Sequence, residues 1–324
     1  MAKKGSIELP EQYQVRLTMS ASPHIRAADD VPRIMRDVVT ALAPAALGAL
    51  YFFRLDALLV MLTCIVTAVI TEYVCAKWIF GRRVTIDDWS AVIAGLLLAF
   101  CLPPGIPLWA AAIGSACAIF FGKMIFGGLG QNIFNPALVG RAILLASWPV
   151  SMTMWQSPVD GVSAATPLGI IKEGLEGVVP PSFFDLLVGN VAGSLGETSA
   201  LLLLIGAAYL LYRGIISWHV PIPFIAVVVI GSLFTGRDPL YELLAGGLIL
   251  GAFFMATDMV TSPLSRNGRV IFGFGCGLLT FLIRNFGGYP EGVCYAILIM
   301  NSTVPIIDRY TAQREFGTKG RSKK

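Results

Sequence analysis

Charge is what this sequence has least of. Only 14% of its 324 residues are Asp, Glu, Lys or Arg and 56% are hydrophobic, whereas soluble domains carry about 25% charge. A water-soluble globular protein is excluded on that balance, and the mean hydropathy of +0.73 agrees. Histidine is as scarce, with His24 and His219 the only two. The six cysteines, Cys64, Cys75, Cys101, Cys117, Cys276 and Cys294, sit in apolar runs without a C-x-x-C pair. Neither a disulfide framework nor a complete metal site is expected from such a set. Residues 1–33 lack any apolar stretch resembling a cleavable signal, so the first apolar run is expected to act as an uncleaved anchor.

Long apolar runs are what the chain has instead. A spanning helix needs about 20 apolar residues, because the hydrocarbon layer is about 30 Å thick and each residue rises about 1.5 Å. Runs between charges and Gly/Pro breaks predict an all-α polytopic membrane protein of about ten spans, near 34–53, 57–76, 90–102, 107–126, 136–150, 197–212, 218–235, 239–256, 269–284 and 291–307. Trp78, Trp89, Trp109, Trp148, Trp155 and Trp218 all fall at or near span ends, the level at which an amphipathic ring is stable.

Basic residues set the expected orientation. With a cytoplasmic N-terminus the inner segments and tail hold sixteen Lys/Arg and the outer segments three, Arg54, Lys172 and Arg237. The expected organisation is a cytoplasmic arm (1–33), a first transmembrane repeat (34–150), an extracytoplasmic segment (151–196), a second repeat (197–307) and a basic cytoplasmic tail (308–324). Both termini are then cytoplasmic in a multi-pass membrane protein. The net charge of +4 is this topogenic bias, not a nucleic-acid surface.

The chain also echoes itself: Gly95-Leu-Leu-Leu-Ala-Phe100 is matched by Gly247-Leu-Ile-Leu-Gly-Ala-Phe253, and Phe126-Gly-Gly128 by Phe286-Gly-Gly288. Five spans per half is odd, so two such halves would be inverted repeats. Short, Gly/Pro-interrupted spans at 90–102 and 136–150 point to a binding site, since unwound backbone within a membrane must line a cavity or a ligand.

Several polar residues near these breaks are candidates. Asn132 and Asn135 precede Pro136, a good first helical residue, so Asn135 can cap that helix, or the two amides can hydrogen-bond a planar polar ring. Glu72 and Arg141 lie at depth, where an ionisable group is costly unless paired or wetted. Lys123, Arg284 and Asp308 lie near helix ends, and snorkelling to the interface is the expectation for them. Thr257-Asp-Met-Val-Thr-Ser-Pro263 is a polar turn that caps helices or faces a ligand. Asp160-Gly-Val-Ser-Ala-Ala-Thr-Pro-Leu168 reads by itself as a hydroxyl-capped turn.

Taken together, Gly127–Ala142, the turn Ala256–Pro263 and Tyr289-Pro-Glu-Gly-Val293 onward to Asp308 resemble one family over nearly the whole chain. That family comprises the D subunit of the Rnf ferredoxin:NAD oxidoreductase and the B subunit of the sodium-pumping NADH:quinone oxidoreductase. The resemblance implies a urea-transporter-like fold and a translocase subunit that is not catalytic alone. It also implies an FMN held by phosphoester on a threonine in a D-x-x-[ST]-G-A-[TS] motif. Residue by residue, Asp160 and Ser163 match and Thr166 is the acceptor, whereas Ala164 stands where the family usually has glycine. Pro167 and the small Ala164 and Ala165 favour a non-helical, exposed Thr166. A riboflavin near Asn132 and Asn135 is also implied, with Arg141, Thr257 and Asp258 as further candidate contacts. Implied partners are the A and E membrane subunits of the Rnf complex, its flavin-bearing G and its cytoplasmic B and C, together with the bilayer and a flavin transferase. Electrons passing through the flavins would be coupled to Na+ or H+ translocation. The alternatives are a secondary transporter or channel, which broken helices equally permit, and the quinone-reductase subunit.

Overall fold

A backbone in hydrocarbon has no water to bond, so an apolar chain of this composition satisfies its amides within helices. The computed structural model describes residues 30–82, 84, 86–158, 164–173, 180–197, 199–288 and 291–312, and among them there is no β-strand. The elements are α1 (Val31–Val74), α2 (Ser90–Phe100), α3 (Leu108–Ile119), α4 (Pro136–Ser147), α5 (Pro149–Thr153), α6 (Pro167–Glu173) and α7 (Phe183–Val188). They continue with α8 (Ala200–Tyr212), α9 (Pro221–Phe234), α10 (Pro239–Leu244), α11 (Leu248–Leu250), α12 (Arg266–Phe286) and α13 (Val293–Thr311).

Helices overlie every expected span. The first two spans share α1, which is interrupted by non-helical Arg54 (φ 51°, ψ −122°), where the sequence places the boundary between them. The eighth divides into α10 and α11, the latter prolonged by a π-helical turn, Gly251–Met255. Two stretches, Val31–Ile79 and Arg266–Phe286, are long and apolar enough to cross a membrane by length and composition. The others are shorter: the 11 residues of α2 make about 16 Å, half the roughly 30 Å hydrocarbon layer.

Small residues let the helices approach closely, the usual solution where lipid removes the hydrophobic drive between them. A Cβ on Gly95 of α2 would lie 2.8 Å from the Cys64 carbonyl of α1, and one on Gly277 of α12 would lie 2.6 Å from the Phe224 carbonyl of α9. α1 packs on α2, α3 and α8, while α12 packs on α9 and α13, and α4 joins α3 to α13. Leu98, Phe100, Leu138, Phe224 and Phe272 are fully buried at these contacts.

Lys123 and Arg284 overturn the snorkelling expectation, with 2% and 1% of their surface exposed. Each cation is held by a carboxylate instead of by water. Lys123 Nζ donates to both oxygens of Glu72 (2.7 and 2.8 Å) and to Ser90 Oγ (2.6 Å). Arg284 donates to Glu242 Oε2 (2.8 Å) and to the carbonyls of Glu242, Ala245, Gly246 and Glu291. An ammonium or guanidinium so completely bonded avoids the cost that would otherwise drive it to the interface. Asp308 is different, accepting the Leu264 N–H at an exposed position (3.0 Å).

Candidate functional site

The breaks in α2, α4 and α11 leave a cleft of about 100 Å3. That is small beside the roughly 300–1,000 Å3 of small-molecule sites, so a flavin-sized ligand enters only where the walls part. Ile93, Leu97, Phe253 and Phe254 form apolar walls, and Ser90, Lys123, Asn132, Asn135, Thr257 and Asp258 are its polar groups. Four candidates separated in sequence, Asn132, Asn135, Thr257 and Asp258, therefore share one space.

Their roles differ. Asn135 caps α4, its Oδ1 accepting the Ala137 N–H (3.1 Å), while its Nδ2 donates to the Met255 carbonyl (3.3 Å). It therefore ties the start of α4 to the end of the broken helix, and both of its amide atoms are engaged within the protein. Asn132 donates to the Phe134 carbonyl (3.3 Å), but its buried Oδ1 has no partner among the described residues. A buried acceptor left open costs about 1–3 kcal/mol, which makes it the group in this cleft most in need of a ligand.

Thr257 Oγ1 donates to the Phe253 carbonyl (2.6 Å), finishing the turn that opens into the cleft. Asp258 accepts from the Thr261 hydroxyl (3.0 Å) and the Val260 N–H (3.4 Å). Burial holds its carboxyl above the ordinary value, and those two bonds pull it partly back.

The remaining candidates lie elsewhere. Arg141 does not line the cleft and instead pairs with Glu291, ahead of α13. Thr166 precedes α6, as Pro167 predicts, and its Oγ1 accepts the Gly169 N–H (3.1 Å). Its exposure is a correction, for only 5% of Thr166 is accessible. The reason is tertiary: Leu168 packs with Leu186, Val191, Tyr241 and Ala245, which draws the start of α6 inward. Asp160 and Ser163 lie outside the described residues.

Sequence reasoning missed Ser90, Asn301, Glu197 and Glu291. With its amide oriented to satisfy both neighbours, Asn301 accepts the Asn135 N–H (3.0 Å) and donates to the Ile297 carbonyl (3.1 Å). Its place inside an apolar helix was the available signal, because an amide there needs partners.

Comparison with known proteins follows this geometry. Residues 18–317 match the model of the NQR2, RnfD, RnfE family. The D subunit of the Na(+)-translocating ferredoxin:NAD(+) oxidoreductase complex of Acetobacterium woodii is 48% identical over 308 residues, covering 94% of this chain and 96% of its own length. Its counterpart in the proton-translocating ferredoxin:NAD(+) oxidoreductase complex of Clostridium ljungdahlii is also 48% identical, over 93% of this chain and 96% of its own. The D subunit of the ion-translocating oxidoreductase complex of Stutzerimonas stutzeri is 40% identical over 90% and 94%. The first two names differ in the ion at equal identity, so overall similarity does not select the ion.

Proposed function

The chain belongs to the NQR2, RnfD, RnfE family, and we propose that it is the electron-carrying membrane subunit of an ion-translocating ferredoxin:NAD oxidoreductase complex. The observation that carries this reading is its end-to-end similarity to D subunits, at 48% identity over 94% of the chain. The test is removal of this subunit from the intact complex. Membranes lacking the chain are expected to lose ferredoxin-dependent NAD reduction and the accompanying ion gradient; full retention of both would refute the assignment.

The finer reading has ten spans in two inverted repeats, both termini in the cytoplasm, and the remaining complex subunits as partners. The repeat within that reading is supported by the two buried cations, each three or fewer residues before a Phe-Gly-Gly: Lys123 on Glu72 and Arg284 on Glu242. In each half a buried cation near the Phe-Gly-Gly is thus neutralised by a carboxylate of the same half.

The proposed cofactors are an FMN esterified to Thr166 and a riboflavin in the cleft. Bound flavins supply the capacity to accept and release electrons at a potential set by their surroundings. Apolar walls and an Asn132 Oδ1 without a partner among the described residues support a planar ring with polar edges, for which the cleft has to widen. Asn135 holds that shape by bonding Met255 and capping α4. Thr166 offers a hydroxyl whose oxygen can keep the Gly169 N–H after esterification, because that bond uses Oγ1 as acceptor. Its burial means that a transferase must reach it before α6 packs, or with α6 lifted.

Two amide variants separate the roles in the cleft. Asn132→Leu is expected to leave stability within about 1 kcal/mol of the parent but to weaken non-covalent flavin about tenfold, one hydrogen bond's worth. Asn135→Leu is expected to cost about 1–2 kcal/mol of stability, because the cap and the Met255 bond go together. Flavin released by acid from the purified variants, beside their thermal unfolding, measures both. Unchanged flavin in Asn132→Leu would remove it from the site.

A further inference from the structure

Beside the cleft, α8 carries a second apolar hollow. It holds about 390 Å3, and Leu204, Ala207, Ala208 and Leu211 line it. Tyr212 and Trp218 stand exposed at its rim, rings of the kind that settle at the membrane interface, so the groove opens toward lipid. Its remaining wall is Phe253, which is also a wall of the cleft. One phenyl ring therefore separates a cleft of about 100 Å3, too small for a flavin-sized ligand, from a larger space that already exists.

The backbone under that ring is fixed. Phe253 sits in the π-helical turn Gly251–Met255, closed by the Ala256 N–H on the Gly251 carbonyl (2.7 Å). Such turns are wider than an α-turn and recur at functional sites. Gly251 packs against Val293 of α13, and the Thr257 hydroxyl holds the Phe253 carbonyl (2.6 Å). With the main chain tied on both sides, Phe253 keeps only its side-chain torsions. The neighbouring Phe254 lacks even that freedom, because its ring covers Gly206 of α8, where a Cβ would lie 3.1 Å from Cζ. Phe253 instead shares the groove with Ala207 and Ala208, whose methyl groups leave it unfilled. A ring turned into the groove stays among apolar side chains, so burial does not strongly favour either position.

We propose that Phe253 is the movable wall of the cleft and that the groove on α8 receives its ring, joining the two hollows into one site for a planar ligand with a polar edge and an apolar body. Asn132 lies at the polar end of that site, and Leu204, Ala207, Ala208 and Leu211 form its apolar end. The small side chains at 207 and 208 are then what sets the width of the opening. For its ligand the proposal rests on the flavin reading given above, whereas the movement of the wall needs no ligand.

The experiment uses the purified full chain in lipid nanodiscs. Leu97→Cys puts a thiol on the cleft wall, and its labelling by an uncharged, lipid-soluble maleimide is followed by mass on that peptide. A charged maleimide, which reaches the thiol only from water, is run beside it. In the parent, an open form at the usual minor level of about 0.1–10% limits the labelling. Phe253→Ala makes the opening permanent and is expected to speed the lipid-soluble reagent about tenfold or more, and the charged one less. Ala208→Phe fills the groove from an exposed position of α8 and is expected to slow the lipid-soluble reagent by about the same factor. Because that change lies outside the core, it serves if Phe253→Ala does not fold. A rate unchanged in either folded variant, or a charged reagent accelerated as much as the lipid-soluble one, overturns the proposal. A chain that releases no flavin with acid refutes the flavin reading alone, since the labelling does not depend on it.

Discussion

Replacing Arg284 with methionine is expected to destabilise the protein by about 3–5 kcal/mol, the usual cost of removing one partner from a buried ion pair. Methionine fills much of the arginine stem's volume, so the loss comes from polar groups and not from a cavity. Among the described residues Glu242 would keep only Arg237, at 3.1 Å and 23% exposed, as its ion-pair partner. The carbonyls of Glu242, Ala245, Gly246 and Glu291 would lose an N–H donor at once. Those carbonyls belong to α10, to the turn that opens α11 and to the lead-in of α13, so three segments loosen together. Arg284→Lys keeps the charge but not the planar fork, and it should fall between parent and methionine. Adding Glu242→Gln to Arg284→Met should recover only part of the loss, since the carbonyls stay unfilled. Thermal unfolding in detergent, with size-exclusion profiles, measures the series. An Arg284→Met variant within about 1 kcal/mol of the parent would show that the guanidinium is not what secures this junction.

Thr166→Ala is expected to abolish covalent flavin completely, seen as loss of in-gel fluorescence under denaturing conditions and of the added FMN mass on the peptide. The substitution also removes the hydroxyl that accepts the Gly169 N–H, a cap worth about 0.5–2 kcal/mol. A lost signal could therefore reflect a displaced α6. Thr166→Ser separates the two effects, because it keeps both cap and nucleophile and is expected to retain the flavin. Fluorescence persisting in the alanine variant would exclude Thr166 as acceptor, and label moved to Ser163 would keep the segment while changing the residue. Because Thr166 is 5% exposed, the parent is expected to be labelled faster when the transferase is present during synthesis than when it is added to folded protein.

Local chemistry was enough to read much of this protein. Apolar runs needing hydrocarbon, Asn135 before Pro136, the pause at Arg54 and Pro167 after Thr166 act over a few residues, so their consequences are written where they occur. The cleft was legible in outline for the same reason: interrupted runs at 90–102 and 136–150 leave backbone that must line something.

What only the tertiary structure decided is which distant groups meet. Lys123 carries the same composition signal whether it snorkels or is buried, and Glu72, 51 residues away, settles the matter. Arg141 reads as a lone charge until Glu291, 150 residues on, is placed beside it, and Thr166 reads as exposed until Leu168 packs under Tyr241 and Ala245. A helix boundary is set by the dihedral preferences and hydrogen bonds of neighbouring residues. The energy of a buried charge, however, depends on what surrounds it in space, and the sequence of its own segment does not contain that.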